Sequence, residues 1–273
     1  MRGWAIYDSL KRAGMDVHIV TNDNLKAAPI EKGTVVVIVK TIIPETIAYC
    51  KKRGAYMVYD IIDNWNWKAL TMGWNCVIAS NFEHAKFLTR HHKGKVVVIP
   101  HLHTNVDRKR ISSTEIKTVG YIGMDKQFAI TNEMQIFCAK SGLQWHQSAG
   151  GDPVQTETET LKLDLGLIYA TPAMTALGLN YEYVMKYKPA TKLTNYFSFG
   201  VPALFNPTVA FMEAIDPDPK LKYLVVNSPS DIYKKINELR ANPEMYKSLA
   251  DKVFVLAEKY HLDNAPKFYK MLS

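Results

Sequence analysis

The chain has 273 residues, 47% hydrophobic and 22% charged, a balance that excludes a disordered or fibrous protein. That length suits two compact domains, each of roughly 100 to 200 residues. Lys and Arg outnumber Asp and Glu by 34 to 26, and the formal net charge of +8 suits an anionic ligand, an acidic membrane surface or nucleic acid. No apolar run approaches the roughly 20 residues that span a bilayer, so the expected setting is cytoplasmic or peripheral at a membrane surface.

In chain order, residues 4–12 predict an amphipathic helix carrying Trp4, Tyr7 and Leu10. Short apolar β-rich runs then alternate with helical stretches. Strands are predicted at Val17 to Val20, Val35 to Val39, Tyr56 to Asp60, Val77 to Ser80 and Val96 to Pro100, and helices near Pro44 to Arg53 and Asn81 to His91. A Rossmann-like domain normally opens with a strand and a glycine-rich turn, so this first domain reads as trimmed of its first strand. The polar stretch NVDRKRISSTEIK, Asn105 to Lys117, reads as a connection, placing domains at 1–107 and 108–273. The second half repeats the alternation, with strands predicted at Thr118 to Ile122, Leu165 to Ile168, Pro202 to Phe205 and Tyr223 to Val226. Its helices are predicted at Asn132 to Ser141, Lys192 to Phe199, Asp231 to Arg240 and Glu244 to Tyr260. The fold class is therefore α/β, with two Rossmann-like, doubly wound domains facing across a cleft. Cys50, Cys76 and Cys138 follow no metal-ligand spacing and read as reduced, buried thiols.

Ligands of open parallel sheets lie beyond the carboxyl ends of the strands, which selects the candidate residues. In KPATKLTNYFSFGVPALFNP, Lys188 to Pro207, a Pro and a Thr precede a helix, a Gly ends it, and an apolar strand follows. The amides and dipole of such a helix start attract phosphate, Lys192 adds a mobile charge, and Asn195 can bond a ribose hydroxyl. An ordinary surface helix with two lysines is the competing reading.

KPATKLTNYFSFGVPAL resembles the donor-binding segment of retaining GT-B glycosyltransferases of family four, a Lys-Pro-x-x-Lys-Leu stretch before a helix and Gly-x-Pro. KVVVIPHLHTN at Lys95 to Asn105, TVGYIGMDKQ at Thr118 to Gln127, LDLGLIYATP at Leu163 to Pro172 and the helical region Ser228 to Asn264 resemble further parts of that family. The resemblance implies a GT-B fold, terminal helices packing near the domain junction, and a hexose transferred from a nucleotide sugar with retention of configuration, GDP-mannose being the first donor guess. It assigns donor binding to Gly123, Met124, Lys126, Tyr187, Thr191, Lys192, Leu193, Thr194 and Asn195. Tyr187 and Asn195 stand where many members carry glutamates, so Tyr187 offers the donor sugar no carboxylate. Lys126 and Lys192 are the expected neutralisers of diphosphate, with amides around Thr191 to Thr194 stabilising the leaving group.

In the first domain, Asp60, Asp63 and Asn64 follow a strand in YDIIDNWNW, where they could bind acceptor or sugar hydroxyls. Helix capping by Asp63 or Asn64 competes with that reading. Asp60 joins Lys126 and Lys192 as an expected catalytic group. His101 and His103 form His-x-His without a third ligand at persuasive spacing, so His101 reads as a hydrogen-bonding cleft residue and no metal is expected. No cofactor is expected beyond the nucleotide-sugar substrate. Expected partners are that donor and a glycan, glycoprotein or lipid-linked acceptor, and a homodimer is compatible with the sequence. Two alternatives stay open: a sugar-nucleotide-binding protein of weak activity, and a basic module for nucleic acid or a membrane surface. Basic residues cluster at Lys51 to Arg53, His91 to Lys95 and Arg108 to Arg110, without the interleaved aromatics of a nucleic-acid stripe, so nucleic acid is not the expected partner.

Overall fold

The computed structural model describes the chain apart from residues 1–2, 63–66, 104, 112, 124–127, 129, 150–152, 171–180 and 273. It divides into two compact units: unit 1 holds Met1–His101, Tyr187–Pro189 and Leu262–Ser273, and unit 2 holds Leu102–Lys186 and Ala190–His261. The polypeptide thus enters unit 1 three times.

In unit 1, helix α1 (Trp4–Arg12) precedes β1 (Val35–Val39), α2 (Pro44–Lys52), β2 (Tyr56–Asp60), β3 (Cys76–Ala79), α3 (Phe82–His91) and β4 (Lys95–Val98). The strands pair in parallel in the order β1-β2-β3-β4. Consecutive neighbours require crossovers of one hand, which put α2 and α3 on one face, where Ile47, Cys50 and Leu88 pack on Met57, Tyr59, Val77 and Ala79. The other face, with Val58, Cys76, Ile78, Val97 and Ile99, is covered from the chain's end by Phe268, Tyr269 and Leu272. Because both faces are buried, the strands read as unbroken apolar runs. Gly54, at φ 75°, ends α2 in the left-handed region that a tight return into β2 requires. The strand expected at Val17 to Val20 is absent: residues 15–20 have no regular hydrogen-bonded structure. Its alternation of exposed and half-buried residues has no described strand beside it, and pairing, not propensity, makes a strand.

Unit 2 contains β5 (Thr118–Ile122), α4 (Thr131–Lys140), β6 (Gln144–Ser148), α5 (Pro153–Thr160), β7 (Leu165–Ile168), α6 (Tyr181–Tyr187), α7 (Thr191–Ser198), β8 (Ala203–Phe205), α8 (Val209–Ile215), α9 (Pro229–Ala241) and α10 (Pro243–Ala257). The last residue of α6, Tyr187, already counts with unit 1, as does α11 (Ala265–Tyr269) near the chain's end. The strands are parallel, in the order β6-β5-β7-β8. The chain moves outward from β5 to β6 and then returns across β5 to β7, so the winding reverses between β5 and β7. The strand expected at Tyr223 to Val226 is instead the end of a 3-10 helix, Pro219–Leu224, with a single bridge from Val225 to Phe205. Pro219 at the first turn and Asp218, whose carboxylate accepts the Lys220 amide at 3.0 Å, nucleate that helix locally. Conversely β6, whose sequence QWHQS alternates without an apolar run, forms because β5 offers it an edge.

The three cysteines are free and buried; burial pushes the Cys138 thiol up to about 11 and the other two upward, so all three are inert thiols. Among the described residues no helix is long and apolar enough to cross a membrane.

Candidate functional site

In a doubly wound sheet the crevice for a ligand opens where the winding reverses, at the carboxyl ends of the strands. In unit 2 that place is the end of β5 beside β7. Pairing between these strands stops at Gly120 and Gly166, so the amide of Ile122 has no strand partner on that side. Tyr196 of α7 supplies one: its ring lies against Gly166, where an added Cβ would stand 2.8 Å from Cδ2, and its Oη accepts the Ile122 N–H at 2.7 Å. Burial pushes the Tyr196 phenol far above its ordinary value, and the Ile122 bond opposes this only in part. The hydroxyl is therefore neutral, and α7 is pinned across the point of reversal.

That pin sets the start of α7 at the carboxyl end of the sheet. Ala190, the N-cap, provides no side-chain cap, and the Thr194 amide is spent on the Ala190 carbonyl at 2.9 Å. The amides of Thr191, Lys192 and Leu193 are the first-turn donors that a helix start leaves for an anion. The Thr194 hydroxyl bonds the Thr191 carbonyl at 3.1 Å, and the Leu193 side chain is fully buried in the core, so Leu193 has only its amide to offer. Lys192 reaches back to the end of β5: its ammonium donates to Tyr121 Oη and stands 4.3 Å from the centre of the Tyr121 ring. Tyr121 is itself stacked on Phe128, centroids 4.7 Å apart. Gly123 follows with φ 156°, and a Cβ there would collide with Lys192 Nζ and come within 2.5 Å of Tyr121 Oη. Only glycine leaves room for the ammonium against that turn. Met124 and Lys126 lie outside the described residues. Asn206, just past β8, bonds both backbone groups of Ala170, two residues past β7, at 2.9 Å.

Asn195 is buried in α7, and its carbonyl accepts the Ser198 hydroxyl at 2.7 Å. Tyr187 belongs to unit 1. There its ring lies 5.4 Å from that of His84 and 5.1 Å from that of Phe87, and its carbonyl accepts the Ser80 hydroxyl at 2.6 Å.

The carboxyl end of the unit 1 sheet gathers further polar groups. Asp60 ends β2, is 1% exposed, and its carbonyl accepts the Lys40 amide at 3.0 Å. His101 lies three residues past β4 and is also buried. Between these two strands β3 leads into Ser80 and Asn81. The Asn81 side chain caps α3 by accepting the His84 amide at 2.7 Å, and His84 Nδ1 lies 3.3 Å from Ser80 Oγ. Ser80 and His84 were not singled out by sequence, although a polar pair directly after an apolar strand was the available signal. Asp63 and Asn64 lie outside the described residues. His103 belongs to unit 2: it is 2% exposed, its amide bonds the Tyr260 carbonyl at 3.0 Å, and its ring lies 5.2 Å from that of His261. Burial first and then the charge of His261, with a smaller contribution from Arg108, hold His103 down to about 3 against the upward pull of the Ala257 carbonyl, so it is neutral. Electrostatically the two strand-end sets differ: unit 2 presents a cation and the first-turn amides of a helix, unit 1 a buried carboxylate and imidazoles.

No family model and no curated protein matches the chain. Solved structures do. TarM of S. aureus, in complex with fondaparinux, α-GlcNAc-glycerol and UDP, is similar over 86% of this chain at 12% identity and TM-score 0.63. HepE of Anabaena, in complex with UDP, is similar over 96% of this chain and 87% of its own at 11% identity and TM-score 0.59. Sucrose-phosphate synthase from Thermosynechococcus elongatus is similar over 84% and 71% at 10% identity and TM-score 0.56. The chain spans 58% of the matched chain in the GtfA/B complex and 55% of the TarM chain. With its two parallel-sheet α/β units and these likenesses, the chain has the GT-B glycosyltransferase fold.

Proposed function

We propose that this chain is a glycosyltransferase that moves a hexose from a nucleotide-sugar donor to a hydroxyl acceptor with retention of anomeric configuration. The observation that carries the reading is the Lys192 ammonium held beside Gly123 at the end of β5, at the reversal of the unit 2 sheet, with the uncapped start of α7 beneath it. A cation and three aimed amides suit a diphosphate.

Lys192, with Lys126, neutralises the diphosphate, and the amides of Thr191 to Leu193 stabilise the charge that grows on it as the bond from the anomeric carbon to phosphate oxygen breaks. The acceptor oxygen forms the new bond on the same face, and its proton passes to the departing phosphate. Neither a protein base nor a bound metal is needed in this scheme. Asp60 and His101, with Asp63 and Asn64, are the groups for acceptor or sugar hydroxyls; a glycan, a glycoprotein or a lipid-linked alcohol would present such a hydroxyl. GDP-mannose is the first donor to test, and UDP-sugars form the second arm because the TarM and HepE structures hold UDP.

A second reading, sugar-nucleotide binding with weak or no transfer, is favoured by Tyr187 and Asn195: neither offers a carboxylate, and the Tyr187 ring is engaged with His84 and Phe87. Titration calorimetry of the whole chain with GDP-mannose, UDP-glucose, GDP and UDP tests both. One nucleotide class should bind, and Lys192→Ala should weaken it about 10- to 150-fold, the worth of a charge-assisted hydrogen bond. Binding without transfer or hydrolysis across a broad acceptor panel supports the second reading. Failure to bind all four ligands overturns both.

A further inference from the structure

The charge of this protein is divided unevenly. Unit 1 carries 17 Lys and Arg against 9 Asp and Glu, whereas unit 2 carries 17 of each, so the whole formal excess of +8 belongs to unit 1. Much of that excess lies at one end of the sheet. Strands β1 to β4 are parallel and start within two residues of one another, Val35 beside Tyr56, Val58 beside Cys76 and Cys76 beside Lys95, so the segments leading into them share one edge about 14 Å wide at ordinary strand spacing. Lys32 precedes β1, Lys51, Lys52 and Arg53 end α2 before β2, Lys93 precedes β4 and Lys95 begins it; all six are exposed. The segments touch. The Gly33 amide bonds the Gly54 carbonyl at 3.0 Å, Lys51 donates to the Met72 carbonyl, and the Lys95 amide bonds the Asn75 carbonyl at 2.9 Å.

Glu31 is the one carboxylate in the described segments that lead into these strands, and among the described residues no carboxylate lies within salt-bridge distance of the six cations. Helix dipoles alone do not account for this. They favour cations at every helix end, yet at the start of β5 in unit 2 the charges are balanced: Asp164 accepts the Lys117 and Thr118 amides at 2.8 Å, and Glu115 lies 3.1 Å from the Lys117 ammonium. This edge is also opposite the carboxyl ends where the functional groups gather, so its cations serve no ligand there.

We propose that this amino-terminal edge of the unit 1 sheet docks the protein onto an anionic lipid bilayer. Six cations without a carboxylate partner, within little more than one Debye length, act together on a surface of phosphate headgroups, whereas a nucleic-acid groove would also present exposed stacking rings. Among the described residues the rings beside the six are those of Tyr49, 5.2 Å from the Arg53 guanidinium, and Tyr56, both half-buried against the core, and the exposed apolar side chains there are those of Val35 and Met271; the Met271 carbonyl accepts from Lys95 Nζ at 2.5 Å. The proposal is independent of glycosyl transfer, and a failure of donor binding leaves it standing.

The test is sedimentation of the full chain with vesicles of phosphatidylcholine and phosphatidylglycerol in equal parts, against phosphatidylcholine alone. Binding is expected only to the anionic vesicles and is expected to disappear in molar salt. Neutralisation by Lys52→Gln, Arg53→Gln and Lys93→Gln together should lower partitioning about a hundredfold, each cation contributing about 1 kcal/mol near such a surface. Lys222→Gln, Lys234→Gln and Lys247→Gln, the same loss of charge on exposed positions of unit 2, should leave it intact. Equal loss in both triple variants, equal binding to neutral vesicles, no binding to the anionic ones, or release from them by a single-stranded oligonucleotide would each overturn the proposal.

Discussion

Tyr196→Phe removes one oxygen from the residue that pins α7 to β5. The ring stays on Gly166, so packing is kept and the effect belongs to the hydrogen bond. The Ile122 amide loses its 2.7 Å acceptor at a place where β5 and β7 have already parted. Tyr196 is 1% exposed and Ile122 6%, so solvent does not replace the bond. Leaving a buried amide unsatisfied costs about 1–3 kcal/mol. At about 2–4 °C per kcal/mol for domains of this size, the melting temperature should fall by roughly 2–12 °C. The end of β5 carries Gly123, so donor affinity should fall as well. Tyr246→Phe is the matched control. It deletes another buried phenol, one that donates to the Asp164 carbonyl at 2.8 Å at the opposite, amino end of β7, and should lower the melting temperature alone. Thermal unfolding and titration calorimetry on both variants decide the matter. Wild-type donor affinity in Tyr196→Phe, or an equal loss of affinity in both variants, would refute the claim that this hydroxyl organises the site.

Gly123→Ala places a methyl group where Lys192 Nζ and Tyr121 Oη now lie and asks alanine to hold φ 156°. Calorimetry should show donor affinity reduced about tenfold or more, from strain of about 1–3 kcal/mol together with the displaced ammonium, and unchanged affinity would remove Lys192 from the site. His103 is neutral in the fold with its proton affinity held to about 3, against about 6.5 in the unfolded chain. Only the unfolded state gains a proton as pH falls below 6.5, so His103 costs no stability above that pH and progressively destabilises the fold down to about 3, by about 2 kcal/mol at pH 5. His103→Leu should flatten that part of the stability profile in chemical denaturation between pH 7 and 5, and an unchanged acid slope would show that the imidazole is already protonated in the native state.

Much of the architecture was legible because its signals are local. Val35–Val39, Thr118–Ile122 and Leu165–Ile168 are apolar runs bounded by polar or glycine residues, Tyr56–Asp60 is a β-prone run soon after Gly54, and the structure has strands at those bounds. Pro44, Asn81 and Asn242 mark helix starts by the ordinary chemistry of first turns and caps. Where pairing or locally capped turns compete with propensity, the reading failed: Val17 to Val20 stays unpaired, Tyr223 to Val226 is drawn into a 3-10 turn, and β6 forms on an edge that its own sequence does not advertise.

The candidate site divides along the same line. The order of residues gave a helix near Lys192 to Phe199 with lysines at its start, and only the family resemblance turned that into a phosphate expectation; the structure starts α7 at Thr191 with Lys192 in its first turn. Tertiary structure alone decided what faces it. Tyr121, Gly166 and Tyr196 lie on three separate elements and meet only because the sheet reverses its winding between β5 and β7. Tyr187 likewise sits a few residues before Lys192 but packs with His84 and Phe87 of unit 1. The basic edge of unit 1 was visible in sequence as two short clusters; that they share one edge with Lys32 follows from parallel pairing, which brings together segments that are far apart along the chain.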